Sequence, residues 1–402
     1  MRFYTTAELA ALSSDQGGSI LQRSFTANLM RLQPNGAAPM FAMSGLAQHK
    51  RIMATAHSVW VKQALFPSVT VNGAINTTAT TLVVDSTTNV VAGTIYMKFN
   101  FSAGTYAAPE LLQVTAVTDA TDLVVVRGFA GTIGTAISDN EVLIEVGNSN
   151  EEGSSMPVAR SITMSEHTNF TQIFRNAWDM TETAAAVAVE PGISMIAENR
   201  EDAMFLHAQD IEWSTIFGRK SASVYNGRPM RTMSGIEAIV TEYAPGNIAS
   251  AGTTTTFDQL ESMLHATLDT VIKGRSTGVK TLFCGSQAIE TLNEIARATP
   301  NGRLQFTPES TQFGQQFHSF RTSRGMFEMV EHPLLNAHVA TKKMAIVADL
   351  GTIDFQYLRD TAHKDVAYDG VDATSGVYTS ELTVEMTNPT GWGIIHNLTA
   401  GA

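Results

Sequence analysis

The stretch ISMIAENREDAMFLHAQDIEWSTIFG, Ile193 to Gly218, decides how the rest of the chain is read. Apolar residues recur at helical spacing: Ile196, Ala203, Met204, His207 and Ile211 make one stripe, with Leu206, Trp213 and Phe217 beside it. Glu198, Arg200, Glu201, Asp202, Asp210 and Glu212 supply much of the polar remainder, and Gly218 is a good C-terminal cap. A helix over 193–217 at ~1.5 Å per residue is a rod of nearly ~40 Å. A rod of that length predicts a structural spine against which shorter elements pack.

Downstream, residues 250–300 read as helix, strand, helix. Thr256 and Gln259 have the spacing of a capping box. The helix they open runs through Leu260, Met263, Leu264 and Leu268 to Val271, and Gly274 ends it. Val279–Phe283 is a compact apolar strand. Gly285-Ser286 turns it into a second helix carrying Ile289, Leu292 and Ile295, stopped by Pro300. The remainder reads mostly as strands: Met326–Val330, Met344–Ala348, Ile353–Tyr357, Leu382–Met386 and Trp392–Leu398. Helices and strands are segregated rather than alternating, which predicts an α+β fold.

Upstream, the composition changes. Between Ser68 and Gly147 only Lys98 and Arg127 are basic, against seven Asp and Glu. Five β-type runs recur there: Thr81–Val84, Thr94–Met97, Leu111–Val114, Leu123–Val126 and Val142–Glu145. Spacing of about ten residues without a helical period predicts a small β-barrel or sandwich, inserted into another domain at 68–150. Residues 160–190 read as an extended segment followed by a short Ala-rich stretch. Residues 1–35 have no steady period, yet Ile20, Leu21, Phe25, Leu29 and Met30 are too apolar for a solvated tail. They read as an arm that orders against a neighbouring subunit.

Bulk properties narrow the function. The chain has 402 residues, enough for two or three domains, and only 16% of them are charged. That low charge density suits a surface covered largely by other protein. The net charge of −12 and the absence of a Lys/Arg run, Lys342-Lys343 being the only adjacent lysines, argue against sequence-reading of DNA. A lone cysteine, Cys284, makes neither an intrachain disulfide nor a cysteine-based zinc site. Met1–Thr6 lacks the apolar core of a signal peptide, and Ala184–Val189 is far short of the ~20 residues a membrane span needs. The reading is a protein kept in the cytoplasm until assembly, with no membrane partner.

No catalytic residue, cofactor-binding residue or metal ligand is assigned. A nucleophile elbow, a phosphate loop, a zinc-protease motif and a dinucleotide fingerprint are all missing from the sequence. Cys284 sits at a strand-to-helix turn, a place that suits a nucleophile, but it reads as a buried core thiol. Glu331, His332 and His338 have the residue types of a metal site, but Pro333 opposes the helix such a pair needs. His207 reads as packed or hydrogen bonded, and Glu151-Glu152 and Glu201-Asp202 as solvated charge. Lys98 has the chemistry of a crosslinking lysine but sits inside the β-rich insert.

The order of parts resembles the major capsid protein fold shared by tailed phages, encapsulins and herpesviruses. Local residues add to the resemblance: Asn169-Phe170-Thr171-Gln172-Ile173 with Ser165 before it, Thr181-Glu182-Thr183-Ala184, Ile211-Glu212-Trp213, Gly235-Ile236 and Asn388-Pro389. It implies an N-arm (1–35), the start of an extended loop and peripheral region (36–67) and, after the insert, the rest of the loop and the peripheral domain with its spine (151–240). An axial domain (241–348) and closing peripheral strands (349–402) follow. The insert departs from that family where the extended loop belongs, although Leu111–Thr132 resembles small β-modules of other phage structural proteins. The implied function is self-assembly as pentamers and hexamers into an icosahedral head around double-stranded DNA. Portal, scaffolding or decoration proteins are the implied partners, with only non-specific contact to DNA. An encapsulin-like compartment and a tail or fibre protein are the competing readings.

Overall fold

A computed structural model describes residues 50–62, 67–102, 105–160, 164–186, 194–252, 255–270, 272, 275–276, 278–298, 307–312, 315–322, 324–366, 370 and 372–399. The expected arm, residues 1–35, lies outside the described residues, as do Pro191-Gly192 and Pro300. The chain forms two compact units: residues 60–167 are one, and the residues on either side of them are the other. Strand β1 (Lys50–Arg51) comes first. Strand β2 (Ala56–Val61) carries the chain out of the larger unit; a later strand, Ser165–Phe170, returns it, and the two pair.

The insert is a closed barrel. Its strands are β3 (Ser68–Thr70), β4 (Thr81–Val83), β5 (Thr94–Ser102), β6 (Thr105–Val117), β7 (Asp122–Val126) and β8 (Val142–Asn148). Their antiparallel order is β3-β8-β5-β6-β7-β4. Just beyond β3 the chain bridges to β4: Val71 faces Val84, Asn72 N donates to Val83 O at 2.9 Å, and Asp85 N to Thr70 O at 3.0 Å. Closure leaves no unpaired edge, which decides for a barrel over a sandwich. Alternate residues point inward, so Val69, Leu82, Tyr96, Leu112, Val114, Leu123, Val125 and Leu143 form a separate core. All five expected runs are strands, and the three-residue β3 is an addition. Tyr96 lies in this core, and its hydroxyl is pushed up to about 12 by burial and by the nearby Glu145, with Arg160 opposing.

In the larger unit the returning strand is β9 (Ser165–Phe170), followed by β10 (Gln172–Thr181), α1 (Glu182–Ala186) and α2 (Met195–Phe217). Ser194 caps α2, its hydroxyl accepting from Ala197 N. The hairpin β11 (Ser221–Tyr225) and β12 (Arg228–Thr232) turns on Asn226-Gly227, both at positive φ (50° and 71°), as a type I′ turn requires. Then come α3 (Ile236–Tyr243), β13 (Ile248–Ser250), α4 (Phe257–His265), β14 (Val279–Cys284) and α5 (Ser286–Ala298). After these lie β15 (Thr307–Gln312), β16 (Gln315–Arg321), β17 (Met326–Glu331), α6 (Val339–Lys342) and β18 (Ala345–Ala348). Strands β19 (Ile353–Val366), β20 (Ala373–Met386) and β21 (Gly393–His396) finish the chain.

Two sheets organise this unit. One has the order β1-β19-β20-β10, the other β13-β21-β18-β14-β17-β16-β15. Strands β14, β17, β18 and β21 of the seven-stranded sheet are covered on both faces. Phe283, Val330, Ile346 and Ile394 face a core shared with Ile211 and Ile216 of α2, Ile236 and Val240 of α3, and Phe355, Leu382 and Val384 of the other sheet. Their strand neighbours Leu282, Met329, Val347 and Ile395 face Leu260 and Leu264 of α4 and Ala288 and Leu292 of α5. Where α2 ends, Gly218 and Gly235 meet back to back: Gly235 N donates to Gly218 O at 2.8 Å. A Cβ on Gly235 would stand 2.7 Å from Gly218 N, so only glycine permits this approach of spine and α3.

Several expectations are corrected. The closing segment 349–402 does not stay with one sheet: β19 and β20 pair with β10, but β21 lies inside the seven-stranded sheet. The α4 helix stops at His265 and tightens into a 3-10 turn at Ala266–Leu268, short of Gly274. On the spine, Met204 is 60% exposed and Leu206 is also outside, whereas Ala203, His207, Ile211, Glu212, Thr215 and Ile216 are buried. Glu212 is therefore not part of the solvated remainder.

Candidate functional site

The residues that invite a chemical reading are placed apart. Cys284 is fully buried between α4, α5 and the sheet, and burial pushes its thiol well up, away from the reactive thiolate. Glu331 accepts from Asn336 Nδ2 at 2.7 Å, His332 turns inward to Glu212 at 2.7 Å, and His338 caps α6 through Ala340 N. Those three side chains have different neighbours and do not converge on a metal. Lys98 is inside the barrel, bonded to Asn100 Oδ1 at 2.9 Å and Thr135 Oγ1 at 3.0 Å. That position withdraws it from crosslinking with another subunit. Glu151, Glu152, Glu201 and Asp202 are exposed.

What the larger unit does contain is a set of largely buried polar junctions fastening segments distant in sequence to one another. Asn169 is one. Its Oδ1 accepts from Ser234 N at 2.7 Å, and its Nδ2 donates to Ser234 O at 3.0 Å and Val384 O at 2.9 Å. Gln172 is another: Oε1 accepts from Met233 N at 3.1 Å while Nε2 reaches Ser214 Oγ on the spine at 3.4 Å. The spacing of Asn169 and Gln172 thus has a structural cause, since each satisfies backbone or hydroxyl groups of an element far away in sequence. A third junction, Lys280 Nζ to Asp349 Oδ2 at 2.5 Å, ties β14 to the turn before β19. Glu381 collects Thr171 Oγ1 at 3.0 Å and Arg359 Nε at 2.8 Å. Sequence reading missed Lys280, Glu381 and Glu212, because charged residues carry no signal that their partners lie 69, 22 and 120 positions away.

His207 joins the spine to the four-stranded sheet. Asn176 Nδ2 donates to Asp210 Oδ2 at 2.7 Å, which turns Asn176 Oδ1 toward His207 Nδ1, also at 2.7 Å. Nδ1 therefore carries the proton, and Nε2 accepts from the Ser380 hydroxyl at 2.7 Å. Burial lowers the His207 pKa, with the Asp210 charge opposing. A depressed folded-state value means the neutral ring contributes stability above its ordinary value of 6.5, and that contribution is lost as pH falls through the folded-state value. The expected result is that His207→Gln is less stable than the parent at pH 8 and that the gap narrows or inverts by pH 5. Thermal unfolding at several pH values checks it, and a gap that does not change with pH would refute it.

Together these junctions tie the buried centre of the unit, from which exposed extensions project. Along β19, Ile353–Gln356 are buried while Arg359–Ala362 are exposed. In the β11–β12 hairpin, Val224, Tyr225 and Met230 are exposed. A buried centre with exposed extensions, one polar along β19 and one partly apolar in the β11–β12 hairpin, suits a subunit whose contacts are made with other chains.

Comparison with known proteins gives the same answer from outside. The SU10 major capsid protein model matches residues 4–399. The major capsid protein of Pseudomonas phage PaMx41 is 32% identical over 399 residues, covering 94% of this chain and 92% of that one. Among solved structures, a chain of the capsid of a native GTA particle aligns with a TM-score of 0.50, at 8% identity, over 96% of this chain and 98% of its own. A chain from Mycobacterium phage Cain aligns with a TM-score of 0.48, at 10% identity, over 98% of each. The fold is accordingly the α+β tailed-phage capsid fold, carrying an inserted barrel. A match running nearly from end to end, spine, sheets and insert included, places the chain in the SU10 major capsid protein family.

Proposed function

We propose that copies of this chain assemble as pentamers and hexamers into a closed icosahedral phage head that encloses double-stranded DNA. The observation carrying this reading is the family match over residues 4–399. Function then resides in geometry: one subunit shape repeated through heterologous contacts that close. The net charge of −12 suits a container whose contacts with packaged DNA are non-specific. In this reading residues around 257–350 meet at the capsomer axes, and the arm 1–35 with residues 50–160 clasps neighbours. Assembly takes place in the bacterial cytoplasm and the protein ends in the virion, with portal, scaffolding or decoration proteins as further partners. It acts as a structural subunit rather than as an enzyme.

Negative-stain electron microscopy with light scattering on the purified chain tests this. Uniform closed shells, or five- and six-fold rings, are expected. A monodisperse dimer or trimer, unchanged at high concentration and with crowding agent, would overturn it.

A further inference from the structure

The barrel exterior has an unusual chemical character. Lys98 and Arg127 are both turned into the interior, while the acids Asp85, Asp119, Asp122, Asp139 and Glu141 are at least partly exposed; Glu145 is nearly buried and is held by both arms of Arg160 at 2.7 and 2.8 Å. Between those charges runs an apolar face. Leu111, Met97 and Ile144 are in cross-strand register over β6, β5 and β8, all pointing outward. Val142 and Val146 flank Ile144 along β8, and Phe99 lies beside Met97 on β5; Val142 is 50% exposed and Val146 57%. Because the barrel is closed, a partner has no free strand edge to extend and must be held by side chains.

The sequence contains a segment with the opposite character. From Gln16 to His49 there is no Asp or Glu, while Arg23 and Arg31 are basic. Within it Ile20, Leu21, Phe25, Leu29, Met30 and Phe41 are large and apolar. A second barrel is a poor match for the face, since the unpaired exposed charges of both would be mostly acids and like charges repel across an interface. The acid-free segment matches it in both charge and hydrophobicity.

We propose that the outward face of β5, β6 and β8 seats residues 16–49 of a second copy of the chain. The proposal rests on the shell reading and names a surface for the arm that the family match does not specify. The apolar row supplies the buried area, and the acids at the loops attract Arg23 and Arg31.

The test uses assembled full-length shells. A photo-crosslinking phenylalanine analogue replaces Ile144, an outward position, and shells are built from a mixture of unlabelled and nitrogen-15 chains. Crosslinked peptides are then identified by mass spectrometry. The expected product joins position 144 of one isotopic chain to a peptide within 16–49 of the other. In the same shells, the additional substitution Met97→Lys should lower the crosslink yield about tenfold, as an unpaired cation is forced into the apolar row. Crosslinks only to segments outside 16–49, only within one chain, or not reduced by Met97→Lys would overturn the proposal. Particle formation is scored separately by microscopy, so a failure of the shell reading itself shows as absent shells rather than as absent crosslinks.

Discussion

Arg127→Met is expected to unfold the barrel selectively, destabilising it by about 3–5 kcal/mol, the cost of breaking a buried ion pair by removing one partner. Glu110 is fully buried, and the Arg127 side chain is 7% exposed. The guanidinium grips the carboxylate with both arms, Nε to Oε1 at 2.7 Å and Nη2 to Oε2 at 2.9 Å, and also donates to Asn76 O and Thr135 O. Methionine keeps much of the stem volume but leaves a carboxylate in the barrel wall held by the amides of Thr135 and Gly128. A domain of this size is stable by roughly 5–15 kcal/mol, so the loss is a large share. The barrel has its own apolar core, so calorimetry should show its transition moving down while the larger unit keeps its own.

The pH dependence separates lost charge from lost packing. Burial raises the Glu110 pKa, but the hydrogen bonds and charge of Arg127, with the Thr135 and Gly128 amides, outweigh it and hold the value below the ordinary 4.5. The ionised form therefore contributes stability above about pH 4.5, lost as pH falls through the depressed value. In Arg127→Met the carboxylate is buried without its cation, and the sign reverses: protonation relieves the penalty, and mild acid stabilises the variant barrel. Arg127→Met with Glu110→Leu should recover most of the loss. A single variant within about 1 kcal/mol of the parent, the scale of an exposed pair, would show that the pair carries little.

What sequence made legible follows from how many neighbours enforce a pattern. The length of the spine was legible over 193–217, but its buried face was only partly so: burial is confined to positions between Ala203 and Ile216 and includes His207, Glu212 and Thr215, while Met204 and Leu206 lie outside. Val279–Cys284 is covered on both faces and reads as a solid run, although it includes Lys280, whose charge is neutralised by Asp349 in a segment no local pattern connects to it. The outer parts of β19 and β20 had no comparable signal. Only their inner residues meet the core, so the sequence marks 353–357 and 382–386 while pairing extends over fourteen residues on each strand. The place of β21 was illegible for another reason. Ile394 and Ile395 serve opposite cores, and an interior strand with two apolar faces fits any sheet equally well. The junction residues Asn169 and Gln172 stood out only through the family resemblance, and their partners at 233–234 and 384 appear only in three dimensions.

His332→Leu should destabilise the larger unit strongly, again by about 3–5 kcal/mol. Glu212 sits near the end of the spine and His332 directly after β17; their side chains are fully buried and meet at 2.7 Å, with the Phe283 ring edge-on to the imidazole at 5.9 Å. The carboxylate accepts, so Nε2 carries the proton, and leucine removes that donor while keeping a buried side chain of comparable size. Glu212→Gln retains a carbonyl acceptor at the same place and should cost no more than about 1.5 kcal/mol. Glu212→Leu combined with His332→Leu removes both polar groups and should approach parental stability in denaturant titration. The double variant then isolates a role that stability cannot report. The pair links the spine, which also touches the four-stranded sheet through His207, to the seven-stranded sheet, and a shell closes only if each subunit holds one shape. A stable double variant that forms aberrant or open particles would mean the pair sets subunit geometry. Normal shells from it would mean the pair matters only for folding, and His332→Leu costing under about 1 kcal/mol would remove it from both roles.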